Sequence, residues 1–171
     1  MFQIRTLSNV EPQAALPALT EILTACVAGG ASVGFMAPLT HDRATAFWMR
    51  IASDVAAGER ILLVAEDAAG IVGTVQLVLA QPENQPHRGD VAKMLVHPRG
   101  REQGIGAGLI NAVCDAARAA GKTLLVLDTV TDSAAARLYT RTGWQRVGEI
   151  PDFALWPAGG LCATTFFYKR V

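Results

Sequence analysis

The chain lacks an excess of charge of either sign: 15 Lys and Arg balance 15 Asp and Glu, for a formal net charge of zero over 171 residues. No positive field therefore favours a nucleic-acid partner. Cysteine is scarce. Cys26, Cys114 and Cys162 are far apart, and no C-x-x-C pair or cysteine–histidine cluster has the spacing of a zinc site, so no metal is expected. The same three residues make no disulfide framework, and free buried thiols in a reducing cytoplasm are the expectation. No apolar run approaches the roughly twenty residues that cross a bilayer, and no basic, apolar, small-residue leader opens the chain. Internal repeats and low-complexity tracts are also missing. What remains is a soluble, unprocessed protein, half of it hydrophobic, of a size for one well-buried domain over residues 1–171.

The most informative stretch is Val91 to Gly121, VAKMLVHPRGREQGIGAGLINAVCDAARAAG. Val91, Met94, Leu95 and Val96 form a short apolar strand that Pro98 ends, because proline gives no N–H to a sheet ladder. After Gly104-Ile105-Gly106-Ala107-Gly108, the residues Leu109, Ile110, Val113, Cys114 and Ala117 recur at helical spacing up to a stop at Gly121. The glycines thus fall at a helix N-terminus, where unpartnered N–H groups and about half a positive charge suit a phosphate, and glycine lets that phosphate approach the main chain. Arg99 and Arg101 add positive charge just upstream.

Around this unit the chain reads β-α-α-β-β-β-α-β-α-β-β. Phe2 and Ile4 alternate with polar neighbours as in a half-buried first strand. Helices are predicted from Pro12 to about Ala28 and from an N-cap at Thr40 to near Gly58, with Ala31 to Leu39 as a loop between them. Ile61–Ala65 and Ile71–Leu79 form a hairpin about the turn Glu66–Gly70, and Gly73 marks a bulge. Gln81 to Gly89 is polar, twice broken by proline, and reads as a surface loop. Leu124–Leu127 is a central strand closed by Asp128. Ser133 to Thr142 is a short helix, followed by a strand from Trp144 to Ile150, a loop Pro151–Gly160 and a last strand Thr164–Lys169.

Two segments carry a family resemblance. Val96-His97-Pro98-x-x-Arg101-x-x-Gly104-Ile105-Gly106 resembles the V-x-P-x-x-[RQ]-x-x-G-[IL]-G core of the GNAT-type N-acetyltransferases. Asp132-x-x-Ala135-x-x-Leu138-Tyr139-x-x-x-Gly143-Trp144 is similar to the family's N-x-x-A-x-x-L-Y-x-x-x-G-F, with Asp in place of Asn and Trp in place of Phe. The resemblance implies a three-layer α-β-α fold whose mixed, largely antiparallel sheet has about seven strands and helices on both faces. It also implies acetyl-CoA as cosubstrate and an acetyl group moved to an amine, or a hydroxyl, of the acceptor. By the same resemblance, the backbone of Met94, Leu95 and Val96 pairs with the pantetheine arm. The main chain of Glu102, Gln103, Gly104, Ile105, Gly106 and Ala107 cradles the pyrophosphate, Asp132 takes the place of the family's asparagine near the cofactor, and Tyr139 donates to the departing sulfur. The tail GEIPDFALWPAGGLCATTFFYKR with VAKMLVHP resembles the tabtoxin-resistance branch, which implies a small-molecule acceptor of amino-acid size, with no nucleic-acid or membrane partner. Homodimer formation is left open.

Side-chain roles remain open on sequence grounds. Asp128, at the end of a central strand, is the candidate base if partial burial raises its pKa; otherwise it caps the next turn. Glu66 and Asp90 are weaker candidates at strand boundaries, and His97 reads as structural. Arg101 either contacts a phosphate or solvates the turn. Tyr139 is either the donor or a core aromatic. Two other functions compete: a CoA-binding or sensing domain without catalysis, and a dinucleotide fold suggested by Gly104-x-Gly106 and Asp128. Against the dinucleotide fold, Leu109 stands where a third glycine belongs, and too few residues follow Asp128 for further βαβ units.

Overall fold

A computed structural model describes residues 1–171. The elements are β1 (Gln3–Thr6), α1 (Glu11–Ala28), α2 (His41–Ala56), β2 (Arg60–Asp67), β3 (Gly70–Val78), β4 (Arg88–Val96), α3 (Ile105–Ala119), β5 (Leu124–Val130), α4 (Ala134–Arg141), β6 (Gln145–Leu155) and β7 (Leu161–Arg170). Their boundaries follow local chemistry. Thr40 caps α2 by accepting from the Arg43 N–H at 3.4 Å, and Ser133 caps α4 by accepting from the Ala136 N–H at 3.1 Å. Gly121 and Gly143, both with positive φ, follow α3 and α4 in the left-handed conformation that ends helices.

The seven strands form one sheet in the order β1-β2-β3-β4-β5-β7-β6, antiparallel everywhere except between β4 and β5. That arrangement rules out the dinucleotide fold, whose sheet is mostly parallel. Each face has its own core. Leu19, Ile22 and Leu23 of α1 with Trp48 and Ile51 of α2 cover one face; Leu109, Ile110 and Val113 of α3 with Tyr139 of α4 cover the other. All three cysteines are buried and unpaired.

Several boundaries differ from the sequence reading. β6 runs through Pro151 to Leu155, where a loop was expected, because its pairing with β7 skips three residues between Ile150 and Ala154. Pro151, with no N–H to donate, is tolerated there on an edge strand at a bulge. β7 starts at Leu161 and β5 continues to Val130, so Asp128 lies within β5 opposite Phe166 and does not close it. The β2–β3 irregularity expected at Gly73 falls one residue away, with Val72 as the extra residue.

A tight contact fixes the approach to the glycine-rich turn. A Cβ on Gly100, in the single turn of 3₁₀-helix Pro98–Gly100, would lie 2.4 Å from Val72 Cγ2 and 3.0 Å from Ile105 Cδ1. Gly100→Ala is therefore expected to cost about 1–3 kcal/mol through overpacking. Urea unfolding checks this, and an unchanged midpoint would show that the turn can yield.

Candidate active site

The turn between β4 and α3 is built as an anion cradle. Glu102 and Gly104 both have positive φ, 63° and 80°, which folds the chain so that successive amides turn toward one concavity. None of the six N–H groups from Glu102 to Ala107 donates to a protein acceptor, and the first intrahelical bond is made by Gly108 to the Gly104 carbonyl at 3.0 Å. These six residues are the ones for which the sequence implied a pyrophosphate. The two arginines upstream do not join them. Arg99 binds Asp67 and the carbonyls of Gly70 and Ile71, tying the turn to the β2–β3 hairpin. A guanidinium nitrogen of Arg101 lies 3.8 Å from where a Cβ on Gly29 would sit, beside the C-terminal end of α1.

Beside the cradle the sheet opens. β4 and β5 pair in parallel only from Arg88↔Leu124 to Asp90↔Val126, and beyond that the strands separate. Met94, Leu95 and Val96 on one strand and Asp128, Thr129 and Val130 on the other therefore flank a gap. β4 also carries a bulge, because Lys93 and Met94 together oppose Val75 between the pairs Thr74↔Leu95 and Gln76↔Ala92. The bulge changes the facing of the strand: Val91 and Met94 pack with the α3 side, Leu95 with the α1–α2 side. Lys93, at φ 49°, is the residue in the strained conformation.

Tyr139 lies on the α3 side of the gap. Its ring is 5% exposed and packs edge-on against Trp144 at 5.7 Å and obliquely against Phe167 at 5.8 Å. Its hydroxyl makes no hydrogen bond within the protein. Burial raises the phenol's pKa well above its ordinary value, and the Asp128 charge adds to the rise. Its neighbour Leu138 meets the first turn of α3: a Cβ on Gly106 would lie 3.0 Å from Leu138 Cδ2 and 3.9 Å from Met94 Sδ. Turn, β4 and α4 are thus one packed unit.

Asp128 projects to the opposite face and is exposed, with Thr164 Oγ1 donating to Oδ2 at 3.5 Å. The burial on which the expected rise in its basicity depended is absent. Glu66 and Asp90 are engaged elsewhere, Glu66 by a two-bond clasp from Arg5 and Asp90 by Arg88 and Gln81. The His97 ring accepts from the Arg99 N–H at 3.2 Å, a structural role. Asp132 has φ 58°, a conformation that Asp and Asn tolerate, and its carbonyl accepts from Arg137 at 2.8 Å. It borders a groove of about 360 Å³ with Arg137, Arg141 and Arg146, so its side chain belongs to the β6–β7 flank of α4.

On the Asp128 face, the loop between α1 and α2 and the hairpin β6–β7 border an open cleft of about 440 Å³ lined by Gly34, Phe35, Arg43, Asp152 and Phe153. Ser32 Oγ donates to the Leu155 carbonyl at 2.9 Å and the Ala37 N–H to that of Pro157 at 2.9 Å, so the two walls are tied together. The sequence reading missed Lys93, which reaches this face. Its signal was a lone lysine inside an otherwise apolar central strand. No group of three or more metal-ligating side chains converges in the molecule, and no helix is long and apolar enough to cross a membrane.

A mixed sheet split beside a helix N-terminus whose amides are free has the geometry to receive a phosphate-bearing group. The family follows from the comparison that covers this region. Residues 58–146, just over half of the chain, match the acetyltransferase (GNAT) domain, and the chain belongs to that family. Solved structures share the fold over nearly the full length. A protein called yncA from Salmonella typhimurium, solved with its cofactor acetyl-CoA, is 22% identical with a TM-score of 0.79, over 99% of this chain and 93% of that one. A ribosomal-protein-alanine N-acetyltransferase from Brucella melitensis is 21% identical at 0.82, over 99% of both chains. A GCN5-related N-acetyltransferase from Kribbella flavida is 22% identical at 0.80, over 99% and 98%.

Proposed function

We propose that this chain transfers the acetyl group of acetyl-CoA to an amine of a small molecule of amino-acid size. The observation that carries the reading is the run of six free N–H groups at the start of α3, opening onto the gap between β4 and β5 with the Tyr139 hydroxyl unpartnered beside it. Acetyl-CoA supplies an activated acyl carbon and a thiolate leaving group. Glu102 to Ala107 would hold its pyrophosphate through main-chain donors and the dipole of α3, and Met94 to Val96 would take its arm as an added strand. Tyr139 would donate to the sulfur as charge develops there. The acceptor would enter from the Asp128 face. The cleft is open and, at about 440 Å³, has room for a small molecule, and the resemblance to the tabtoxin-resistance branch supports an acceptor of amino-acid size. The test is calorimetry with acetyl-CoA, followed by a screen of small amines and amino-acid analogues read by release of CoA thiol. Absence of acetyl-CoA binding overturns the reading.

The exposed Asp128 carboxylate is placed to hold an incoming ammonium, which gives up its proton to solvent before the free amine attacks the acetyl carbon. Asp128→Asn keeps the shape and removes the charge. It is expected to lower kcat/KM for the acceptor about 10–100-fold, chiefly through KM, with acetyl-CoA affinity retained. A parental kcat/KM would reduce Asp128 to its contact with Thr164.

A further inference from the structure

Lys93 is a charge without a partner. Its ammonium makes no hydrogen bond or ion pair within the protein, although the side chain is partly buried in the interior between β4 and α2. It lies 5.8 Å from the centroid of the Phe47 ring, and 3.7 Å from where a Cβ on Gly34 would sit. Gly34 is part of the cleft wall, so the ammonium lies next to that wall. Arg43, the cation that lines the cleft, is exposed. Burial lowers the pKa of Lys93, and Asp128 opposes that shift without coming into contact. Removing an ammonium from water without a carboxylate or carbonyl to receive it is costly, and a face of one aromatic ring recovers only part of the loss.

Backbone strain is spent on the same placement. Lys93 is held at φ 49° in the β4 bulge, a conformation glycine would take more easily. Bulges re-aim side chains, and this one directs the lysine to the Phe47 and Gly34 side of the sheet. There it shares the opening with Asp128, an exposed anion held apart from it across the gap. An unpaired cation and an unpaired anion separated at one opening match the two ends of a zwitterion.

We infer that Lys93 is a specificity-determining residue that binds the carboxylate, or an equivalent acidic group, of an amino-acid acceptor while Asp128 faces its ammonium. The inference deepens the acetyltransferase reading and rests on it. The carboxylate replaces lost hydration at Lys93 and fixes the amine at the acyl side of the gap, and an acceptor without an acid group would leave the lysine unpaired.

The test uses the full chain with acetyl-CoA, the twenty proteinogenic amino acids and their carboxamides, read by CoA release. At least one free acid is expected to be acetylated with a kcat/KM about 10–100-fold above that of its carboxamide. Lys93→Met should erase this preference by raising KM for the acid, with kcat and acetyl-CoA affinity near parental, and Lys93→Arg should restore part of it. A merely structural lysine would instead lower the melting temperature and leave the preference intact, which overturns the inference. So does a parent that uses acids and carboxamides equally, or that acetylates no free acid while still binding acetyl-CoA. Loss of acetyl-CoA binding by the parent itself overturns the acetyltransferase reading, and the inference with it.

Discussion

Tyr139→Phe is expected to lower kcat about 10²–10³-fold while leaving the fold and the affinity for acetyl-CoA close to parental. The reason lies in what the substitution removes. The ring packs against Trp144 and Phe167, and phenylalanine keeps those contacts. The hydroxyl has no hydrogen-bond partner in the protein, so its loss orphans no buried group. Unfolding free energy should therefore move by less than about 0.5 kcal/mol, the usual range where no such feature is touched. The catalytic consequence is different. A thiol's pKa is near 8.5, and a thiolate forming in a partly dry gap is poorly solvated unless a donor faces it. Burial and the Asp128 charge hold the phenol protonated far into the alkaline range. Such a phenol can donate a hydrogen bond to sulfur throughout, but full proton transfer from it to a thiolate is uphill. Its role is then stabilisation by a hydrogen bond, and the pH profile of kcat should show no loss attributable to tyrosine ionisation between pH 6 and about 10. A variant with parental kcat and a lowered melting temperature would make Tyr139 a structural aromatic.

What the sequence made legible depended on whether function lay in the main chain or in side-chain facing. Gly104, Gly106 and the helix that follows could be read directly, because a phosphate cradle made of amides demands glycine and a helix start within a few residues. The hairpin, the cap at Thr40 and the stops at Gly121 and Gly143 were legible for the same local reason. Asp128 was misplaced because an acidic residue after four apolar ones reads as a strand end, and only pairing with β7 shows that the strand continues. Lys93 was missed because period-two alternation assumes a regular strand. The bulge makes Val91 and Leu95 face opposite sides, and bulges are fixed by the partner strand more than by their own residues. Arg99 reads in the sequence as positive charge added near the cradle, yet its guanidinium is already satisfied by Asp67 and two carbonyls from a hairpin about thirty residues earlier. Pro151 to Leu155 reads as loop from composition, and an edge strand's freedom to bulge is what lets it pair with β7.

Gly106→Val should reduce acetyl-CoA affinity by at least about 10²-fold, since two or more charge-assisted hydrogen bonds from the first turn of α3 would be blocked by a branched side chain. The geometry adds a complication that the sequence could not show. A Cβ at position 106 would already approach Leu138 Cδ2 to 3.0 Å, tighter than ordinary contact, so valine crowds α4 as well as the phosphate site. A fall in stability of about 1–3 kcal/mol is expected alongside the loss of binding. The two effects separate in a cycle with Leu138→Ala, which removes the atom that valine meets. In the double variant the crowding is relieved, so the stability cost of adding valine should shrink relative to its cost in the parent. Affinity should stay lost if the branched side chain itself bars a phosphate from the amides of Ile105 to Ala107. Calorimetry on the four proteins, with urea unfolding of each, gives both quantities. Recovery of acetyl-CoA affinity in the double variant would mean that valine acts only by displacing α4, and the amides of the α3 turn would then lose their assignment as the pyrophosphate cradle.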